Sequence, residues 1–396
     1  MPGLAGGVAE LVGVPLDRWG SGFRLRADGC DESGADGEAT GVVKEMDSLL
    51  PLPAQTPEIV ERALVEGVSR LFTRYGVTTV GEISETVEGL ETMDALARER
   101  RLGARIRAYL WAPGTLPLES ALEWRRHIRL SAGDEHVAIQ GVKLFCDGGY
   151  SAKSAAVKRP YLGMGREHFG DIALERDFLR EALPATRDAG LQLAIHANGD
   201  RAQEWLCEVI ESAGGAPSHP RLRTRIEHAG NFMPEHVTSE WWTRAGIVPV
   251  PQPVFLYTFG DYFGDYLGEY GTQGRFQFAD LLREGWLLTG SSDVWVGSER
   301  EATNPLFSVW CCLRRQTYDG RLIDPDQATT VVEALRMHTL SGAEVLGEAA
   351  DKGSLEAGKL ADLVVLDRDP RTCAVDDLPD LRVEAVYLGG ARIDAG

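Results

Sequence analysis

The chain has 396 residues, 43% of them hydrophobic, which is enough for a sizeable core in a large α/β domain with a small appendage. Its formal net charge of −19, from 60 acidic and 41 basic residues, speaks against nucleic acid as a partner, because phosphate binding needs a basic stripe that is absent here. Six cysteines without CxxC spacing offer neither a zinc knuckle nor a disulfide framework and point to a reducing cytoplasm, and no apolar run approaches the roughly 20 residues that span a bilayer.

Residues 1–55, rich in Gly, Asp and Glu, read as a loop-rich segment that continues from something preceding it. At residue 56 a Thr-Pro-Glu start opens an amphipathic helix that stops at Gly76, and VTTVGEIS follows as a β-branched strand. The alternation then repeats. Helices are expected near 86–101, 118–130, 175–189, 201–213, 235–244 and 276–284, and strands at RIRAYLW, HVAIQGVKLF, LQLAIHA, RTRIEHA, GIVPVPQP and WLLTGSS. Seven strands are counted in all, starting near 77, 105, 137, 191, 223, 246 and 286, and βα units of this size predict a parallel sheet with both faces covered. The aromatic stretch VFLYTFGDYFGDYLGEYG at 254–271 reads as a long loop, open between an apolar lid over a substrate and the packing face of a homo-oligomer. A helix over TTVVEALRMHTLSGAEVLG closes the barrel-like part at 56–348, and residues 349–396 read as short strands of a small β-sandwich.

Four residues able to hold a metal fall at the ends of strand-like runs: Lys143 in GVKLFCDGG, His196 in LQLAIHANGD, His228 in RTRIEHAG and Asp293 in LLTGSSD. Each has a plain structural reading as well. A lone histidine in a strand is ordinarily a hydrogen-bonded core residue, a strand-end lysine ordinarily reaches solvent, and an Asp after Gly-Ser-Ser can cap a helix. Asp147, Asn198 and Gln252 lie near the same ends and are read as substrate-binding or ligand-orienting groups, with loop capping as the alternative. The sequence holds no His-x-His pair.

In this order, GVKLFCDGG, AIHANGDRA, RIEHA, GSSD and GSLEAGKLADLVVLDRDP, with TGVVKEM and YGVTTVGE before them, resemble the amidohydrolase superfamily. The closer likeness is to amidohydrolase family 3, the N-substituted formamide deformylase-like branch. The resemblance implies a metal-dependent (β/α)8 TIM-type barrel with a small β-sandwich. It implies that Lys143, His196, His228 and Asp293 are the metal ligands, with the lysine carboxylated in many members and Asp293 the catalytic proton shuttle. It also implies a first strand carrying a His-x-His pair, which has no counterpart here, so one barrel strand is expected to be missing. The cofactor implied is a divalent metal of the zinc type, one or two ions, with one expected in this form.

The chemistry requires these residue types. A zinc-type ion brings the pKa of bound water to about 7, imidazoles and carboxylates hold it, and a lysine serves once CO2 has converted it to a carbamate. The function expected is hydrolysis of a non-peptide carbon–nitrogen bond in a small amide-like molecule. The alternative is a catalytically impaired barrel acting as a binding protein, and a third reading keeps the barrel but gives it another reaction.

Overall fold

The computed structural model describes residues 56–393, apart from residues 134, 166, 218, 235–237 and 295–300; the expected loop-rich segment 1–55, and His236, lie outside the described residues. Six strands pair in sequential order in one parallel sheet: β1 (Thr79–Ser84), β2 (Arg105–Trp111), β3 (Val137–Phe145), β4 (Gln192–His196), β5 (Arg225–Glu227) and β6 (Val248–Val250). Parallel neighbours need crossovers, and helices supply them. Helix α1 (Pro57–Leu71) precedes β1, and α2 (Val87–Arg98), α3 (Leu118–Leu122), α4 (Arg176–Asp188), α5 (Asp200–Ser212) and α6 (Thr238–Ala245) follow β1 to β5 in turn.

The strand expected near residue 286 does not form. Gly290 N–H bonds to Met337 O at 3.1 Å and Ser291 N–H to Pro251 O at 3.1 Å, so successive donors go to different elements and no ladder develops. Leu288 is nonetheless fully buried, which explains why the run reads as a strand: its apolar side chains have a core to fill without a neighbouring strand to pair with. Among the described residues the sheet is therefore an open one of six strands.

The aromatic stretch is also not a loop. It forms two short helices, α7 (Val254–Phe259) and α8 (Tyr262–Leu267), and a 3-10 turn over Gly268–Thr272. Beyond α9 (Phe278–Arg283), an unexpected helix α10 (Pro305–Arg314) starts with Asn304 accepting a hydrogen bond from Leu306 N–H at 3.0 Å. The single helix expected over residues 329–347 is divided into α11 (Val331–Met337) and α12 (Leu340–Val345), with half-buried His338 at the break sharing a hydrogen bond with Ser308 Oγ at 2.9 Å. Antiparallel strands β7 (Leu363–Leu366), β8 (Val383–Leu388) and β9 (Ala391–Ile393) make the small terminal sheet.

Alternation along the strands separates the faces of the large sheet. Ile106, Ala108 and Leu110 of β2 join the large helix-covered core, whereas Tyr109 packs with Ala194, Leu346 and Ile83 on the other face. That second face carries a polar floor at the amino ends of the strands. Arg105 is bidentate to Asp362 at 2.7 and 2.9 Å, Arg107 meets Glu348 at 2.6 Å, and both guanidinium groups donate to Glu135 O. In the middle of the sheet, Tyr109 Oη donates to Gln192 Oε1 at 2.6 Å, and Gln192 Nε2 reaches Arg223 O and Val345 O.

Candidate metal centre

Lys143 reaches the inner face through an irregularity in β3. Val137 and Ile139 belong to the helix-covered core, and so do Val142 and Leu144; two odd positions are followed by two even ones. The pairing with β2 shows why, since Ala108 aligns with Ile139 but Tyr109 with Gly141, leaving Gln140 as an extra residue. This β-bulge shifts the side-chain alternation and turns Lys143 and Phe145 inward. Gly141 is required there, because a Cβ would stand 2.0 Å from Gln192 O and 2.7 Å from the Tyr109 ring. Lys143 is buried, and burial lowers its pKa to about 8 although the carboxylates of Glu227 and Asp293 pull the other way.

The proton on His228 can be placed from partners that act in only one way. Gln252 N–H must donate, so the Asn231 atom 3.0 Å from it is Oδ1; Asn231 Nδ2 then donates to Gln252 Oε1 at 2.7 Å. Gln252 Nε2 agrees with this orientation, since it donates to Val250 O at 3.0 Å. His228 Nδ1, 2.8 Å from the same Gln252 Oε1, therefore carries hydrogen, and its Nε2 is a lone pair. That lone pair faces His196 Nδ1 at 3.0 Å. His228 also sits at φ 74, in the left-handed region where a branched or ring side chain is strained.

His196 ends β4, paired with Phe145, and its surroundings accept either neutral form. Nε2 lies 3.2 Å from Gly148 O and 3.5 Å from Asp147 Oδ1, both acceptors, and 3.3 Å from the donor Asn198 Nδ2. With hydrogen on Nε2, the two imidazole lone pairs converge on one point; with hydrogen on Nδ1, His196 donates to His228. Two imidazoles on one tetrahedral ion stand roughly 3.3 Å apart, given metal–nitrogen distances of about 2.0–2.1 Å. The observed 3.0 Å is close to that spacing. Burial holds both rings below the ordinary histidine pKa, in the neutral form that ligation needs, and Lys143 adds to the effect.

The expected substrate-binding residues are arranged around the imidazoles. Asp147 is wholly buried, and its oxygens accept from Ala156, Asn198 and Gly199 N–H at 2.8–2.9 Å, which fixes the turn after β4. Gln252 is also buried. Asn198 Nδ2 donates to Gly148 O at 3.2 Å. Asp293 is exposed at φ 47, and its charge acts on both Lys143 and His228, so the structure brings all four expected ligand positions to one end of the sheet. Glu227 adds a further carboxylate: burial pushes it up, but Arg225, 2.9 Å away, and Lys143 hold it below the usual range.

Aromatic rings border the centre. Phe145, 39% exposed, lies 5.1 Å from the His196 ring and 4.8 Å from Lys143 Nζ, Trp111 meets it edge-on, and Phe255 stacks beside His228 at 6.1 Å. Among the described residues no group of three or more His, Cys, Asp and Glu side chains gathers as metal ligands; the donor set is two imidazoles with a lysine beside them. That set fits one ion.

Comparison with known proteins agrees with the motifs. The profile of the amidohydrolase family matches residues 29–394. The chain belongs to this family. As an amidohydrolase it is similar to N-substituted formamide deformylase of Arthrobacter pascens, 30% identical over 250 residues, covering 63% of this chain and 44% of that one. It is 29% identical to Protein LONG AFTER FAR-RED 3 of Arabidopsis thaliana over 381 residues, covering 90% of this chain and 62% of that one. The chain thus spans less than two thirds of either relative's length. Among solved structures, an uncharacterized metal-dependent hydrolase from Pyrococcus horikoshii OT3 superimposes with a TM-score of 0.71 at 26% identity, covering 93% of this chain and 70% of that one.

Asn231 and Ser291 were not singled out from the sequence of this amidohydrolase, yet both bond to Gln252. Asn231, three residues after His228, carried a usable signal: an amide just beyond a strand-end histidine is placed to orient it.

Proposed function

We propose that the chain is a metal-dependent hydrolase that cleaves a non-peptide carbon–nitrogen bond in a small amide-like substrate. The observation that carries this reading is the 3.0 Å approach of His228 Nε2, a lone pair, to His196 Nδ1 beside a buried lysine at the carboxyl ends of parallel strands. A zinc-type ion held by these two nitrogens, with Lys143 as a further ligand in its carbamate form, would lower the pKa of water to about 7 and polarise the scissile carbonyl.

The chain's own groups suit that task. With a pKa of about 8, Lys143 is on the order of one-tenth neutral amine at pH 7, the form that reacts with CO2, whereas an ordinary lysine is neutral in under about one part in a thousand. Asp293, exposed beside the imidazoles, takes the proton from the attacking water on its carboxylate and passes it to the leaving nitrogen. Phe145 and Trp111 give an apolar wall against which a substituent packs, excluding water from the bond being cleaved. Similarity to N-substituted formamide deformylase supports a carbon–nitrogen bond as the target, and similarity to the Pyrococcus metal-dependent hydrolase supports metal-dependent hydrolysis.

The test is metal analysis after Zn2+ loading, followed by amine release from a panel of N-substituted formamides, amides and carbamates. Stoichiometric Zn2+ that is lost in His228→Ala, with turnover that disappears alongside it, is the expected result. Failure of the loaded chain to bind Zn2+, or Zn2+ retained undiminished by a His196→Ala, His228→Ala double variant, overturns the assignment.

A further inference from the structure

We propose that Gln252 is a positioning residue that fixes the proton on His228 and ties that imidazole to the segment bearing Asp293. Its side-chain amide has every hydrogen-bonding position filled. Oε1 accepts from His228 Nδ1 and Asn231 Nδ2, and Nε2 donates to Val250 O and, at 2.7 Å, to Ser291 Oγ. Ser291 Oγ in turn donates to Pro251 O at 3.3 Å, so the chain of donors runs in one sense from the backbone to the residue two before Asp293.

The arrangement is informative because residues 286–292 lack a strand ladder. They are held instead by Trp286 N–H on Leu281 O, by Gly290 N–H and Thr289 Oγ1 on Met337 O, by Ser291 N–H and Oγ on Pro251 O, and by this one side chain from the end of β6. Gln252 reaches no substrate, being 1% exposed; it acts through two other residues. Without an acceptor at Oε1, His228 has no reason to keep its hydrogen on Nδ1, and a hydrogen moved to Nε2 would occupy the lone pair that faces His196. Leu would remove both functions of the amide. Glu would keep an acceptor for Nδ1–H while removing the donor to Ser291, so the two substitutions separate the roles.

The consequence for ion binding rests on the metal-centre reading, whereas the proton placement does not. The experiment therefore uses two measurements: 15N chemical shifts of the histidine rings in the metal-free chain, and Zn2+ affinity by competition with a chelator. In the unaltered chain and in Gln252→Glu, His228 is expected in its Nδ1–H form. In Gln252→Leu, the Nε2–H form appears and Zn2+ binding weakens by about 10–100-fold, the usual cost of losing a partner behind a metal ligand. A merely structural role would lower the melting temperature of both variants without moving the proton. His228 unchanged in Gln252→Leu, or converted to Nε2–H in Gln252→Glu, overturns the proposal. Should Gln252→Leu not fold, the Gln252→Glu spectrum and that of the unaltered chain decide alone. Absence of Zn2+ binding by the unaltered chain overturns the metal reading and leaves the nitrogen shifts to judge Gln252.

Discussion

At the amino end of the sheet Arg105 and Arg107 stand against Asp362 and Glu348, whereas at the carboxyl end His196 and His228 stand against each other. The floor is compensated charge: each guanidinium has a carboxylate within 2.7 Å and backbone carbonyls for its remaining donors. The upper end gathers a buried lysine with a lowered pKa and two neutral rings, with no ion pair of the floor type between them, and adds left-handed backbone at His228 and Asp293. Within one parallel sheet, then, the lower layer holds the terminal segment to the strands through paired charges, and the upper layer brings the lysine and the two imidazoles together.

The largest effect should come from breaking the floor. Asp362→Ala leaves Arg105 buried and unpaired, and about 3–5 kcal/mol of stability should be lost in urea unfolding. The fraction that remains folded should bind Zn2+ as before; weakened binding would show that the two ends are not separable.

Lys143 offers a pH test at the other end. Its folded pKa of about 8 lies below the ordinary 10.5, so between these values the folded chain binds fewer protons than the unfolded one, and stability rises with pH. In the metal-free chain the penalty is fully present below pH 8 and is relieved across about pH 8 to 10.5. Lys143→Met should therefore be the more stable form at neutral pH by roughly 3 kcal/mol, with the gap closing at high pH. A difference independent of pH would mean that Lys143 is not a buried ammonium in the unloaded chain.

Asp293→Asn should reduce kcat by at least about 10²-fold on any amide the loaded chain turns over, with KM little changed. A near-unaltered rate would remove Asp293 from proton transfer. The smallest change in stability is expected from Asp293→Gly, which relieves the φ of 47 without disturbing packing and should raise stability by no more than about 1 kcal/mol, although it too removes the carboxylate and with it turnover. A large loss of stability would place Asp293 among the structural residues of the floor type.

The four candidate positions stood out through their order along the chain and the motifs around them, since each residue alone has an ordinary structural reading. Helices α4 and α5 were legible for a similar reason, their apolar faces being periodic. Helix α10 was not, since PLFSVWCCLR is apolar almost all round and lacks the polar face that marks a surface helix, although Asn304-Pro305 is a proper start signal. In α7 and α8 the aromatic and Gly content argued against helix, and tertiary packing prevailed over propensity. WLLTG was read as a strand because burial and β-pairing leave the same apolar signature; only a partner's backbone distinguishes them. For Asp147 and Gln252 the sequence left substrate contact, ligand orientation and loop capping open, as nothing in a polar residue's identity tells whether it will face solvent or its neighbours.

The extra residue in β3 gives Lys143 an unusual vulnerability. Substitutions around it leave the strand's alternation intact, but loss of one codon at Gln140 would restore regular pairing and reverse every later side chain of the strand. Lys143 and Phe145 would turn toward the helices, and Val142 and Leu144 would take their places on the inner face. The position is thus guarded by chain length as much as by residue identity, and a one-residue deletion is the change by which such a sheet would lose its lysine while keeping it in the sequence.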